Sequence, residues 1–332
     1  MLEAGDIITL TAGAWRLREP LASSSYGVLW YALPAGGGEP AVLKLVNTGQ
    51  MALALPPQRG RWSACLEAEI AFLRSLQPWD QRHIVRLLDS GEHQGQPAMA
   101  LELLDGDLAR HLDALRARGD APSFTQALDW AAQVNQGLAK VHQYGWRHLD
   151  LKPANLLLDR SGALKLADFG TNRPLAERDA HSYTGTANWQ APEQFFPGAD
   201  GRYRTDARSD YFALGALLYH MLTGVMLRFS SACGAAWRAH GLDGAAALRA
   251  QHGGGLPAIL APDEAALYLR HAGFGAGASV GMGGAGGAAA LGLLRALLAP
   301  RPEDRPRHAL EISRLIERAR AACAGDAMRS AA

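Results

Sequence analysis

The chain has 332 residues, 33 basic and 32 acidic, giving a formal net charge of +1, and 48% of it is hydrophobic. That length and apolar share can support a sizeable core, and the balanced charge excludes a global field favouring nucleic acid or an anionic membrane as the main partner. Cys65, Cys233 and Cys323 are too few and too scattered for a disulfide framework or a zinc site, which suits a reducing compartment. The N-terminus carries Glu3 and Asp6 without an apolar leader core. No segment offers about 18 uninterrupted apolar residues, so the expectation is a soluble, cytoplasmic protein with no membrane partner.

Three strands are predicted first, from Trp15 to near Leu21, over residues 28–33 and over residues 41–46. Residues 34–40 form a Pro- and Gly-rich loop, so the second and third strands make a hairpin. Lys44 lies among apolar neighbours, where an amine needs an anionic partner. Residues 47–62 hold Pro56, Pro57 and Gly60 without a sustained period and read as an insertion. From Cys65 onward, Leu66, Ile70, Leu73 and Leu76 keep a helical period that Pro78 stops. Residues 84–88 and 98–103 complete a small sheet. Residues 107–118 and 125–144 read as helices, the second with a stripe of Leu128, Ala131, Ala132, Val134, Leu138 and Val141. Residues 156–159 and 163–167 form a hairpin through Ser161-Gly162, and residues 171–190 are polar and aperiodic. Residues 230–287 are Gly- and Ala-rich and read as a mobile or loosely packed loop. Helical patterning resumes at 291–298 and 309–322, and residues 325–332 read as a frayed tail.

The chemistry concentrates in His148-Leu149-Asp150-Leu151-Lys152-Pro153-Ala154-Asn155, followed by Asp168-Phe169-Gly170. Asp150 can orient and deprotonate a hydroxyl, Lys152 can neutralise a phosphoryl oxygen, and Asn155 with Asp168 can hold Mg²⁺ through oxygen. Together they are equipped for phosphoryl transfer.

This run resembles the catalytic loop and metal-binding motif of the eukaryotic-type serine/threonine protein kinases. The resemblance extends to Ala187-Asn188-Trp189-Gln190-Ala191-Pro192-Glu193, to Ser209-Asp210-Tyr211 and to Asp304-Arg305-Pro306, and covers roughly residues 15–322. It implies an α+β, two-lobed kinase-like fold, with a small antiparallel-sheet N-lobe carrying one main helix and a larger, mostly helical C-lobe. The implied domain spans residues 15–322, divided near 103/104, with an extension over 1–14 and a flexible tail over 323–332.

By the same resemblance, Lys44 reaches the nucleotide phosphates and Glu69, rather than Glu67, reaches Lys44. Ala22, Ser24 and Gly27 belong to the nucleotide loop, where only the third family glycine, Gly27, remains, which is expected to weaken ATP binding. Leu29, Val42, Leu101, Glu102, Leu104 and Leu157 complete the ATP site, with Leu101 at its back and Glu102 and Leu104 in the hinge. Thr186 contacts the catalytic Asp150 and Lys152, Asp210 binds the catalytic-loop backbone, Glu193 pairs with Arg305, and His148 is structural. Leu149 stands where arginine is commoner, so switching by phosphorylation of Ser182, Tyr183 or Thr184 is not expected unless Arg147 or Arg173 supplies the missing cation. The expected activity is transfer from ATP, with Mg²⁺, to a Ser or Thr of a protein substrate. The rivals are a nucleotide-binding scaffold without turnover and a small-molecule kinase of related fold.

Overall fold

The computed structural model describes residues 2–331 apart from 25, 178–182 and 275–283, with side chains described through residue 324. The chain forms two units, Met1–Asp105 with Leu166–Asn172, and Gly106–Lys165 with Arg173–Ala332.

The first unit is built on β1 (Ile7–Thr9), β2 (Ala14–Ser23), β3 (Gly27–Pro34), β4 (Ala41–Val46), β5 (Leu87–His93) and β6 (Gln96–Glu102), with helices α1 (Thr48–Leu53) and α2 (Gly60–Ser75). The strands form one antiparallel sheet in the order β1-β2-β3-β4-β6-β5. Alternation decides which side chains are interior: along β4, Ala41, Leu43 and Leu45 are buried, while Val42 and Lys44 on the opposite face are partly exposed. Ile8, Leu10, Trp15, Leu17, Trp30 and Leu43 pack into one apolar cluster. The Trp15 Nε1–H donates to Asp89 Oδ2 at 3.3 Å, so the buried indole keeps a partner.

Three expectations are corrected here. Residues 7–9, assigned to an N-terminal extension, form β1 and pair with β2, burying Ile8. The insertion over 47–62 is largely helical: Asn47 caps α1 by accepting from the Gln50 N–H, and α2 begins at Gly60, not Cys65. The penultimate strand starts at Leu87, because Ile84 instead bridges Leu166 in parallel.

The second unit contains β7 (Gly106–Asp107), α3 (Leu108–Ala117), α4 (Phe124–Gln143), β8 (Trp146–Arg147), β9 (Leu156–Leu158), β10 (Leu164–Leu166, whose last residue belongs to the first unit) and β11 (Arg173–Pro174). Helices α5 (Pro192–Phe195), α6 (Ala207–Thr223), α7 (Arg228–His240), α8 (Gly244–Gln251), α9 (Pro262–His271), α10 (Ala285–Leu297) and α11 (Ala309–Ala331) follow. Side-chain caps start α3, α4 and α6: Asp107 accepts from Arg110 N–H, Ser123 from Gln126 N–H and Asp206 from Arg208 N–H. α6 is apolar almost all round and lies buried among α4, α9 and α10.

The Gly- and Ala-rich region is not a loop where it is described. It contributes most of α7, all of α8 and α9, and the start of α10, because its alanines are the best helix formers and Gly234, Gly244 and Gly287 sit where a side chain would crowd a neighbour. Residues 275–283 lie outside the described residues. The tail is likewise helical in backbone, as α11 runs to Ala331. Among the described residues, no single helix is long and apolar enough to cross a membrane.

Candidate active site

In the first unit, β4 delivers Lys44 to two carboxylates at once. Its Nζ lies 2.7 Å from Glu69 Oε2 and 2.7 Å from Asp168 Oδ1. Glu69 comes from the buried face of α2, and its second oxygen, Oε1, accepts from the Phe169 N–H at 3.1 Å. The Phe169 ring is fully buried against Phe72, with centroids 4.6 Å apart, which anchors the Asp168-Phe169-Gly170 turn to α2. Burial presses the Lys44 amine toward neutrality, but Asp168 and then Glu69 outweigh it, holding its pKa above the ordinary lysine value. For Glu69, burial outweighs the Lys44 charge and raises its pKa. Asp168 stays 46% exposed in its side chain and adopts φ +61°, a conformation that costs an L-residue energy and is held by these contacts.

The β2–β3 turn, expected from the resemblance to cover a nucleotide, is a hairpin whose two sides bond to each other. Ser24 Oγ donates to the Gly27 carbonyl at 3.2 Å and accepts from the Gly27 N–H at 3.1 Å. Asn47 Nδ2 donates to the Ser24 carbonyl at 2.7 Å and to Ser23 Oγ at 3.2 Å. Ala22 and Ser24 are exposed. Gly27 is buried opposite the Lys44 stem, where a Cβ would stand 3.3 Å from Lys44 Cε. Leu29 pairs with Lys44 across β3 and β4, and Val42 with Leu101 across β4 and β6. The Glu102 carboxylate accepts from the Arg86 N–H at 2.8 Å, Leu104 is half-buried, and Leu157 lies in β9 of the second unit opposite Asp107.

The second unit gathers Asp150, Lys152, Asn155 and Thr186. Lys152 Nζ donates to Asp150 Oδ2 at 2.7 Å and to Thr186 Oγ1 at 2.8 Å, and Asn155 Nδ2 donates to the Asp150 carbonyl at 2.9 Å and to Oδ2 at 3.0 Å. Asp150 Oδ1 is buried and has no hydrogen-bond partner among the described residues. The loop around it is held from α6: Asp210, fully buried at the start of that helix, accepts from His148 N–H at 2.9 Å and Leu149 N–H at 2.8 Å. Burial disfavours the Asp210 charge, but its hydrogen bond from His142 and the charges of His142 and His148 overcome this and hold its carboxyl below the usual range. Leu149 itself sits at φ +64°. His148 is fully buried and its Nδ1 accepts from the Asp150 N–H, as a structural histidine does.

Glu193 and Arg305 form the expected bridge, with 2.7 and 2.9 Å contacts. Arg147 and Arg173 are engaged within the segment that follows the glycine turn. Arg147 donates to the Glu177 carbonyl at 3.2 Å, and Arg173 pairs with the Glu177 carboxylate at 2.6 Å. Two supports escaped the sequence reading. Gln194 donates to the Leu149 carbonyl at 2.9 Å, and no motif marks it. Asn47 was legible as a helix cap but was hidden in the apparent insertion.

The protein kinase domain model matches residues 25–310. The chain is 35% identical over 154 residues to serine/threonine-protein kinase PknL of Mycobacterium tuberculosis, covering 46% of this chain and 37% of PknL. It is 37% identical over 149 residues to serine/threonine-protein kinase PknB of Mycobacterium leprae, covering 42% of this chain and 23% of PknB. To mitogen-activated protein kinase kinase kinase 1 of Arabidopsis thaliana it is 30% identical over 225 residues, covering 67% of this chain and 34% of that protein. The chain therefore belongs to the eukaryotic-type protein kinase family, on its serine/threonine branch. It spans well under two thirds of the length of these relatives.

Proposed function

We propose that this chain transfers the γ-phosphoryl group of ATP, with Mg²⁺, to a serine or threonine hydroxyl of a protein. The donor set fits these groups. Lys44 is a charged amine held at a fixed point, Asp168 offers an exposed carboxylate, and Asn155 offers an amide oxygen. Those two oxygens suit Mg²⁺, which takes one or two protein oxygens and completes its shell with phosphate and water. When bound, Mg²⁺ supplies positive charge to the β and γ phosphate oxygens.

The observation that carries the reading is Asp150 Oδ1. A buried acceptor without a donor costs about 1–3 kcal/mol, and an incoming hydroxyl supplies the missing donor. Asp150 then orients that hydroxyl and takes its proton, while Lys152, fixed between Asp150 and Thr186, neutralises charge on the transferring group. Lys44 binds the nucleotide phosphates, with Glu69 fixing the amine. Gly27, Leu29, Val42, Leu101, Leu104 and Leu157, with the backbone of Glu102, are assigned to the nucleotide, and Ala22 and Ser24 to its cover. The free cysteines and the near-neutral charge support a cytoplasmic setting and a protein partner in place of nucleic acid.

The test is incubation with labelled ATP, Mg²⁺ and a generic basic protein, followed by phosphoamino-acid analysis. Label on Ser or Thr is expected, and Asp150→Ala is expected to lower the rate by about 10²–10⁴-fold while remaining folded. ATP binding without transfer by the wild type refutes the reading, as does wild-type turnover by Asp150→Ala or Asp168→Ala.

A further inference from the structure

Tyr183, upstream of Thr186, is anchored by a residue from the region with the least motif content. Its ring stacks on Trp237 of α7 with centroids 3.9 Å apart and planes at 9°, and meets Tyr203 edge-on at 5.7 Å. Stacking of this kind adds to the burial of both rings. The contact continues downstream. Asn188 fits against α7 only because residue 234 is glycine: a Cβ there would stand 1.7 Å from Asn188 Oδ1. Trp189 meets His220 edge-on at 5.4 Å, and Gln190 Nε2 donates to the Thr184 carbonyl. Thr186 sits inside this brace and accepts from Lys152, which donates to Asp150.

The upstream end is pinned by charge. Arg147 and Arg173 are register partners in the β8–β11 pair, and Arg147 is 1% exposed. Two guanidinium groups so placed repel unless an anion lies near, and Glu177 supplies it: its carboxylate pairs with Arg173, and its neutral backbone carbonyl accepts a hydrogen bond from Arg147. A phosphate brought here would meet that carboxylate. A phosphate on Tyr183 would have to leave the Trp237 stack, since the hydroxyl is buried.

We propose that Trp237 is a positioning residue: through Tyr183 it holds Thr186 on the Lys152–Asp150 pair, so that residues 183–190 keep this arrangement in the unphosphorylated chain, while the Glu177 carboxylate serves Arg173 as a built-in anion. This rests on the phosphotransfer reading above, so its test has a second readout. Phosphatase-treated wild type, Trp237→Ala and Trp237→Phe are compared by steady-state transfer and by hydrogen–deuterium exchange over residues 183–190. Phosphatase is expected to leave the wild-type rate within about twofold. Trp237→Ala is expected to lower kcat on the order of 10²-fold with the KM for ATP nearly unchanged, and to speed exchange over 183–190. Trp237→Phe, which keeps a stacking ring, restores most of both.

Unchanged exchange in Trp237→Ala overturns the brace whatever the turnover, and a loss of order 10² on phosphatase treatment overturns the built-in order. If the wild type transfers nothing while exchange responds as expected, the phosphotransfer reading fails and the brace is supported.

Discussion

His220 shows how one side chain ties the segment to pH. It lies in the last turn of α6, edge-on to Trp189 and 3.4 Å from an Arg116 nitrogen. Burial, then the Arg116 charge, lowers its pKa below the ordinary histidine value of 6.5. The folded chain therefore keeps this ring neutral where the unfolded chain protonates it, so its contribution is fully present above pH 6.5 and is lost as pH falls below that value. Melting midpoints measured from pH 7.5 to 5 are expected to fall less steeply in His220→Gln than in wild type. Equal slopes would remove His220 from the account. Nothing in the sequence marks this residue, because its neighbours come from α3 and from the segment ahead of α5. Glu69, by contrast, was legible through the family resemblance: residues two apart on a helix face different directions, so only one glutamate of the pair can meet Lys44, and the resemblance favoured Glu69.

At the scale of elements, the β2–β3 hairpin replaces conformational freedom with internal bonds. Ser24 makes two bonds to Gly27 and Asn47 ties the turn to the start of α1, so the hydroxyls that could have contacted phosphate close the turn instead. The remaining glycine serves Lys44: there is no room for a methyl group without moving the lysine stem. Gly27→Ala is expected to raise the KM for ATP by about tenfold or more, with little change in melting midpoint, because a displaced amine loses its fixed distance to Glu69 and Asp168. Calorimetric titration with ATP checks this, and unchanged affinity would show that the lysine stem yields freely. The helices with clear apolar period and side-chain caps were legible to within a residue or two, α3 and α4 among them. α7 and α8 were not, because Ala and Gly give no hydrophobic period even where the packing is tight.

Across the whole molecule, the motifs most legible in the sequence are those whose residues act within a short span: Asp150, Lys152 and Asn155 share one loop. Long-range partners were legible only through the family resemblance, as with Asp210 and Arg305. Arg305 fills all five of its donors: Nε to the Ala299 carbonyl, Nη1 to Glu193 and the Arg208 carbonyl, and Nη2 to Glu193 and the Pro300 carbonyl. Lysine has three donors and no planar fork, so Arg305→Lys is expected to destabilise the fold by about 1–3 kcal/mol despite keeping the charge. Chemical denaturation measures this, and a loss within error would mean that the carbonyls find other donors.

The same bridge sets a schedule for the growing chain. Its two partners stand 112 residues apart, and Glu193 follows the segment that carries Thr186. At ribosomal speeds of about 5–20 residues per second, roughly 6–22 s separate the synthesis of Glu193 from that of its partner. During that interval a nascent chain already carries every residue assigned to the chemistry but lacks the guanidinium that fixes the end of the segment. Competence for the proposed transfer then waits for Arg305, after the reactive groups themselves have been made.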